Sequence, residues 1–164
     1  VSYESVKGGF GARPNKDGIN ALSSGIANTM NTPIEALEMS FPLRVDCYEL
    51  IPDSGGQGKY RGGLGTRRAW TVLENTARAT VCMERTKSPP FGVAGGGNGS
   101  PSKATLKNPD GTERILPSKG AFDVPAGGQV IMEAPGSGGY GDPQERDEAA
   151  TENDLKDGYI TGKS

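Results

Sequence analysis

Histidine is absent from the 164 residues. Ser-His and Cys-His nucleophile systems, HExxH zinc sites and the two-His-one-carboxylate iron site therefore cannot be built from this chain alone. Cysteine is nearly absent too. Cys47 and Cys82 stand far apart with no CxxC around either, which excludes a zinc-ribbon spacing and a disulfide framework and leaves reduced thiols in a cytoplasmic setting as the expectation. No run of about 18 apolar residues occurs, and the N-terminus lacks the charged-then-apolar order of a signal peptide, so no membrane partner is expected. A net charge of −2 with no cluster of Lys and Arg likewise excludes nucleic acid as a partner, because phosphate contacts need a basic surface.

What the chain does hold is glycine, 26 residues, and proline, 12, against a hydrophobic fraction of only 33%. The apolar material must sit in short segments between turns, which favours strands and loops over long helices. The length is that of one domain. A chain that opens on Val1 reads as a segment of something longer or a processed product.

Local patterns place the elements. In "NTPIEALEM", Thr32 as cap, Pro33 at the first helical position and Glu35 completing a capping box predict a short helix, which Phe41-Pro42 ends. "LRVDCYELI" alternates Leu43, Val45 and Cys47 with Arg44, Asp46 and Tyr48, the period of a half-buried strand. "TRRAWTVLE" and "ARATVCMER" are β-like runs whose Glu74-Asn75-Thr76 junction is short enough for a hairpin. "KATLKNPDGTERIL" gives a second hairpin about Asn108-Pro109-Asp110-Gly111, and "QVIMEA" a last strand. From Asp142, with Pro143 at the first position, a polar C-terminal helix is predicted that would dock on a partner or a missing region, or fray. The fold class expected is α+β and β-rich. Mainly antiparallel strands with long Gly-rich loops span residues 1–142, and a polar helix and tail span 143–164.

The glycine clusters match no nucleotide-binding fingerprint. In "GGFGARPNKDG" the place of the third glycine of a dinucleotide fingerprint is Pro14, and neither Gly58-Lys59-Tyr60 nor Gly162-Lys163-Ser164 completes a phosphate loop. The glycines remain either turn and close-approach positions, some needing positive φ, or backbone nests where Arg13, Lys16, Lys59 and Arg61 would suit a carboxylate or phosphate. Asn28, Thr29, Asn31 and Thr32 serve either as the turn and cap of the short helix or as substrate-facing amides and hydroxyls.

The order of the segments "GGFGARPNKDG", "NTMNTPIEALE", "FPLRVDCYELIPDSGGQGKYRGGLG", "AGGGNGSPS", "APGSGGYGDPQERD" and "DLKDGYIT" resembles the C-terminal part of the hydantoinase B family. These are the B subunits of ATP-dependent hydantoinases and 5-oxoprolinases, to which acetone and acetophenone carboxylase subunits are related. The resemblance covers nearly the whole chain. It implies ATP-dependent hydrolysis of a cyclic amide of the hydantoin or 5-oxoproline type. The expected partners are an A-like ATPase subunit that holds ATP and Mg²⁺, the remainder of the B subunit, which holds a divalent metal, and the small cyclic amide. It implies no cofactor on this segment and no turnover by it alone. The candidate substrate-binding residues are Arg13, Asn28, Asn31, Thr32 and Tyr140, with no catalytic residue assigned. Many members carry a His-containing run where this chain has "ALSSGIANT", so either the substrate differs or that His is dispensable. Two rivals stay open: a ketone carboxylase subunit, and a non-catalytic assembly module.

Overall fold

The computed structural model describes residues 1–23, 25, 27 and 29–162. Among these residues seven strands and two short helices make the β-rich α+β fold expected, almost entirely antiparallel. Strands β1 (Leu43–Leu50), β2 (Thr66–Val72), β4 (Lys103–Lys107), β5 (Glu113–Ile115) and β7 (Gln129–Glu133) form one sheet in the order β1-β2-β7-β4-β5. Strands β3 (Ala77–Cys82) and β6 (Lys119–Val124) form a second, two-stranded sheet.

The alternation of β1 is as read, with a bulge at Asp46 that turns its carboxylate onto Arg44, Thr71 and Gln129. The β4–β5 hairpin also forms as read: the Gly111 N–H bonds the Asn108 carbonyl at 2.9 Å with Gly111 at φ +86°. The expected hairpin between β2 and β3 does not form. Both edges of β2 are taken, by β1 and by β7, so β3 has no ladder left there and crosses through Asn75, at φ +57°, to pair with β6. The main apolar cluster lies between the two sheets, with Val72, Leu106 and Val130 of the larger facing Val81 and Val124 of the smaller.

Helix α1 (Ile34–Ser40) starts later than predicted and no capping box forms. Pro33 itself occupies the cap, at φ −50° and ψ 136°, and no side chain caps the helix; Thr32 is exposed. One buried residue, Leu37, anchors α1, and Glu38 reaches across to accept the Val45 N–H of edge strand β1 at 2.8 Å. Phe41, extended ahead of Pro42, ends it as expected.

The C-terminal region is two pieces rather than one helix. Asp142 caps a single 3₁₀ turn, Pro143–Glu145, and Asp147 caps α2 (Glu148–Lys156) through the Ala150 N–H at 3.1 Å. Between them Arg146 is extended, at φ −68° and ψ 133°, and directs its guanidinium to two carboxylates, the half-buried Asp17 and the buried Asp154. The polar helix thus docks on this chain's own loops, because Asp154 is its buried face.

Candidate functional site

Below the sheets, residues 8–22, 54–65, 91–99 and 134–142 lie side by side as extended ribbons joined by backbone hydrogen bonds. Glycine makes this possible through missing side chains more than through unusual dihedrals. A Cβ on Gly9 would overlap the Gly63 carbonyl, and one on Gly136 would overlap that of Ser54. None of Gly8, Gly9, Gly11 or Gly18 has positive φ, so the stretch does not serve chain reversal, and at Gly8, Gly9 and Gly18 glycine serves close approach of backbone. The reversal falls at Pro14-Asn15, where Arg13 and Lys16 exchange backbone bonds of 3.0 and 3.3 Å.

That turn carries Arg13. The Arg13 Nε is buried and meets no acceptor among the described residues, and no described carboxylate pairs with the guanidinium. A buried donor left unpaired costs about 1–3 kcal/mol. The Arg68 Nε is a second such donor, but its guanidinium, unlike that of Arg13, has a carboxylate partner in Glu4. Tyr140 is close by in the ribbons: the Ala12 N–H bonds the Gly138 carbonyl at 3.0 Å, two residues from Tyr140. Tyr140 is half-buried and exchanges bonds of 2.9 and 3.0 Å with the backbone of Tyr60. Asn31 lies elsewhere, just before α1, where its Oδ1 accepts the Ser5 N–H at 2.9 Å. Thr32 is exposed beside it, and Asn28 lies outside the described residues. Arg13 and Tyr140 thus lie on neighbouring ribbons, and Asn31 and Thr32 lie together before α1.

Of the other cations expected at a nest, Lys16 is exposed on the turn, whereas Lys59 and Arg61 already have protein partners. Lys59 bonds Glu145 at 3.0 Å, and this bond first of all raises its pKa. Arg61 is buried, with its Nε on Asp154 at 3.1 Å and its guanidinium 5.0 Å over the Tyr159 ring. Arg146 grips Asp17 with both terminal nitrogens at 2.9 Å and reaches Asp154 at 2.6 Å. Burial alone would raise the pKa of Asp17, but the Arg146 bonds, the Arg61 N–H at 2.7 Å and the two positive charges hold it below the usual carboxylate value. The same Asp17 bond leads the causes that keep Arg146 more firmly protonated than usual. A second buried arginine, Arg68, is 1% exposed, bonds Glu4 at 2.8 Å and lies over the rings of Tyr48 and Trp70.

Sequence reasoning passed over Asp17, Arg146 and Asp154 because no local pattern links residues so far apart. Arg68 did leave a signal, since alternation along β2 puts it on the face of Val72. Neither thiol is poised for attack: burial first, then Glu49, raises the pKa of Cys47, and Cys82 lies exposed on β3. No group of three or more Cys, Asp or Glu among the described residues could hold a metal ion. No helix among them is long and apolar enough to cross a membrane.

A sequence profile of the Hydantoinase B/oxoprolinase family matches residues 1–143. The chain belongs to this family. It is similar to a protein of uncharacterised function from Methanocaldococcus jannaschii, 40% identical over 99% of this chain and 28% of that one. It is 32% identical to the 5-oxoprolinase of Dictyostelium discoideum, over 92% of this chain and 12% of that one. The crystal structure of an ATP-dependent caprolactamase from Pseudomonas jessenii superposes with a TM-score of 0.83 at 34% identity, over 95% of this chain and 28% of that chain. The chain spans about a quarter or less of the length of these relatives.

Proposed function

We propose that this chain is the C-terminal part of a hydantoinase B-type subunit that acts, with an ATP-binding A-like subunit, in the ATP-dependent hydrolysis of a cyclic amide. One observation supports this most: the likeness at a TM-score of 0.83 and 34% identity to a protein described as an ATP-dependent caprolactamase. The name 5-oxoprolinase of a second relative points to the same bond type, an amide within a ring.

In this reading ATP and Mg²⁺ sit in the A-like subunit, and any divalent metal sits in the remainder of the B subunit. Among the described residues no donor set fits a metal, so no step is routed through one here. In this reading ATP would phosphorylate the amide oxygen with release of ADP, one water would add at the activated carbon and the ring C–N bond would break to leave an acyl phosphate, and a second water would release inorganic phosphate and the carboxylate. This chain would supply Arg13, a cation with an unsatisfied buried Nε, to an anionic group of the substrate or activated intermediate, with Tyr140 on the neighbouring ribbon. Asn28, Asn31 and Thr32 are retained as the more distant candidates.

The test is the assembled complex assayed with 5-oxoproline, hydantoin and caprolactam in the presence of ATP. Ring opening that Arg13→Ala reduces, with assembly intact, is the expected result. Consumption of a ketone that depends on bicarbonate, with no ring opening, would replace this reading by the carboxylase one. Loss of assembly in place of turnover would make the segment a scaffold.

A further inference from the structure

Residues 14–16 of the Arg13 turn are exposed, so burial does not hold the turn. Polar contacts at both of its ends do. Before it, the Ala12 N–H is fixed on the Gly138 carbonyl. After it, the Asp17 carboxylate accepts the Arg61 N–H at 2.7 Å and both terminal nitrogens of Arg146 at 2.9 Å. Arg146 in turn donates to the Lys59 carbonyl at 3.2 Å and to Asp154 at 2.6 Å. The segment that supplies these groups is itself pinned: Tyr159 lies against Arg61, and Asp53 accepts both the N–H and the hydroxyl of Thr161. Two arginines and two aspartates cancel in charge, so the cluster has little to offer a ligand. Its consequence is positional. The family profile ends at residue 143, and both Arg146 and Asp154 lie beyond it.

We propose that the segment from Asp142 to Thr161 is a clamp on the Arg13 turn, with Arg146 and Asp154 as positioning residues that act through Asp17. The inference rests on the reading of Arg13 as substrate-binding. A two-pronged, charge-assisted grip fixes orientation as well as distance, and a misplacement of about 1 Å costs a bound group much of its effect.

The experiment uses the full-length protein assembled with its ATPase partner and a cyclic amide it opens. Arg146→Ala should raise KM about tenfold with kcat changed less than about twofold, as expected when a binding contact is loosened but not removed. Arg146→Lys, which keeps the charge but not the fork, should recover part of this loss. Arg13→Ala combined with Arg146→Ala should be no worse than Arg13→Ala alone, because both act through one group. Losses that multiply, or an unchanged KM in Arg146→Ala, overturn the clamp. If Arg146→Ala does not accumulate, Asp17→Asn is measured in the same way. If Arg13→Ala is itself silent, the reading of Arg13 fails. Hydrogen exchange across Ala12–Asp17 then decides the clamp separately: faster exchange in Arg146→Ala supports it, and unchanged exchange refutes it.

Discussion

Two glycines in one short stretch should respond oppositely to the same change. Gly9 and Gly11 are two residues apart and neither has positive φ, so alanine is free of backbone strain at both. A methyl at Gly11 would meet only the Ser137 hydroxyl, at 3.7 Å, an ordinary contact. A methyl at Gly9 would overlap the carbonyl of Gly63 and touch that of Leu64 at 3.0 Å. Both obstacles are backbone and cannot rotate away, so the ribbon must shift by roughly 1 Å to restore normal separation. That shift strains the bonds from Gly9 N–H to Pro135 O, 2.9 Å, and from Gly63 N–H to Phe10 O, 3.0 Å. Overpacking costs about 1–3 kcal/mol and each lost bond about 1 kcal/mol, against a gain of about 0.5 kcal/mol from the stiffer unfolded chain. Gly9→Ala should therefore lose about 3 kcal/mol, while Gly11→Ala should be neutral or slightly stabilising. In thermal melting followed by circular dichroism this separates the two variants by about 10 °C, at 2–4 °C per kcal/mol for a chain of this size. Melting temperatures within about 2 °C of each other would refute close approach as the reason for the glycines.

Asp154→Ala removes the acceptor shared by Arg61 and Arg146, whose side chains are 7% and 12% exposed, and should cost about 3–5 kcal/mol because two buried charges lose a partner. Limited proteolysis should then cut within residues 148–162 well before the sheets, and uniform resistance would contradict the docking described. Acid should act through Asp17. Its pKa in the folded protein lies below the ordinary value of 3.8, so its contribution is complete above about pH 4 and is lost as the pH falls through the folded-state value. Asp17→Asn should flatten the loss of stability below about pH 4, and an unchanged acid limb in urea melts would count against that assignment.

What the sequence revealed of the fold follows from how local each signal is. β1 and the β4–β5 hairpin were legible because alternation and an Asn-Pro-Asp-Gly turn act within a few residues. The β2–β3 junction misled for the converse reason: its length permits a hairpin, but pairing is decided by β7, whose arrival on the free edge of β2 lies some sixty residues downstream. The Thr32 capping box failed because Pro33, with its extended backbone, took the cap itself, and side-chain type alone does not show which residue the chain will use.

The glycine ribbons were legible in the sequence as clusters, and Arg13 stood out beside them as a candidate, but the reason for the glycines was not legible. Close approach and positive φ leave the same letter in the sequence, and only the neighbouring backbone tells them apart: Gly63 against Ile19 for the first, Gly111 at φ +86° for the second. Lys59 and Arg61 looked as available as Arg13 in sequence, since each adjoins a glycine cluster. Their partners come from Glu145 and Asp154, on a polar segment whose charges read as a solvated face until the fold brings one of them inward. The C-terminal segment thus removes Arg61 and Arg146 from the set of cations a ligand could meet, and among the described residues at this turn it leaves Arg13 with its buried Nε still in need of an acceptor.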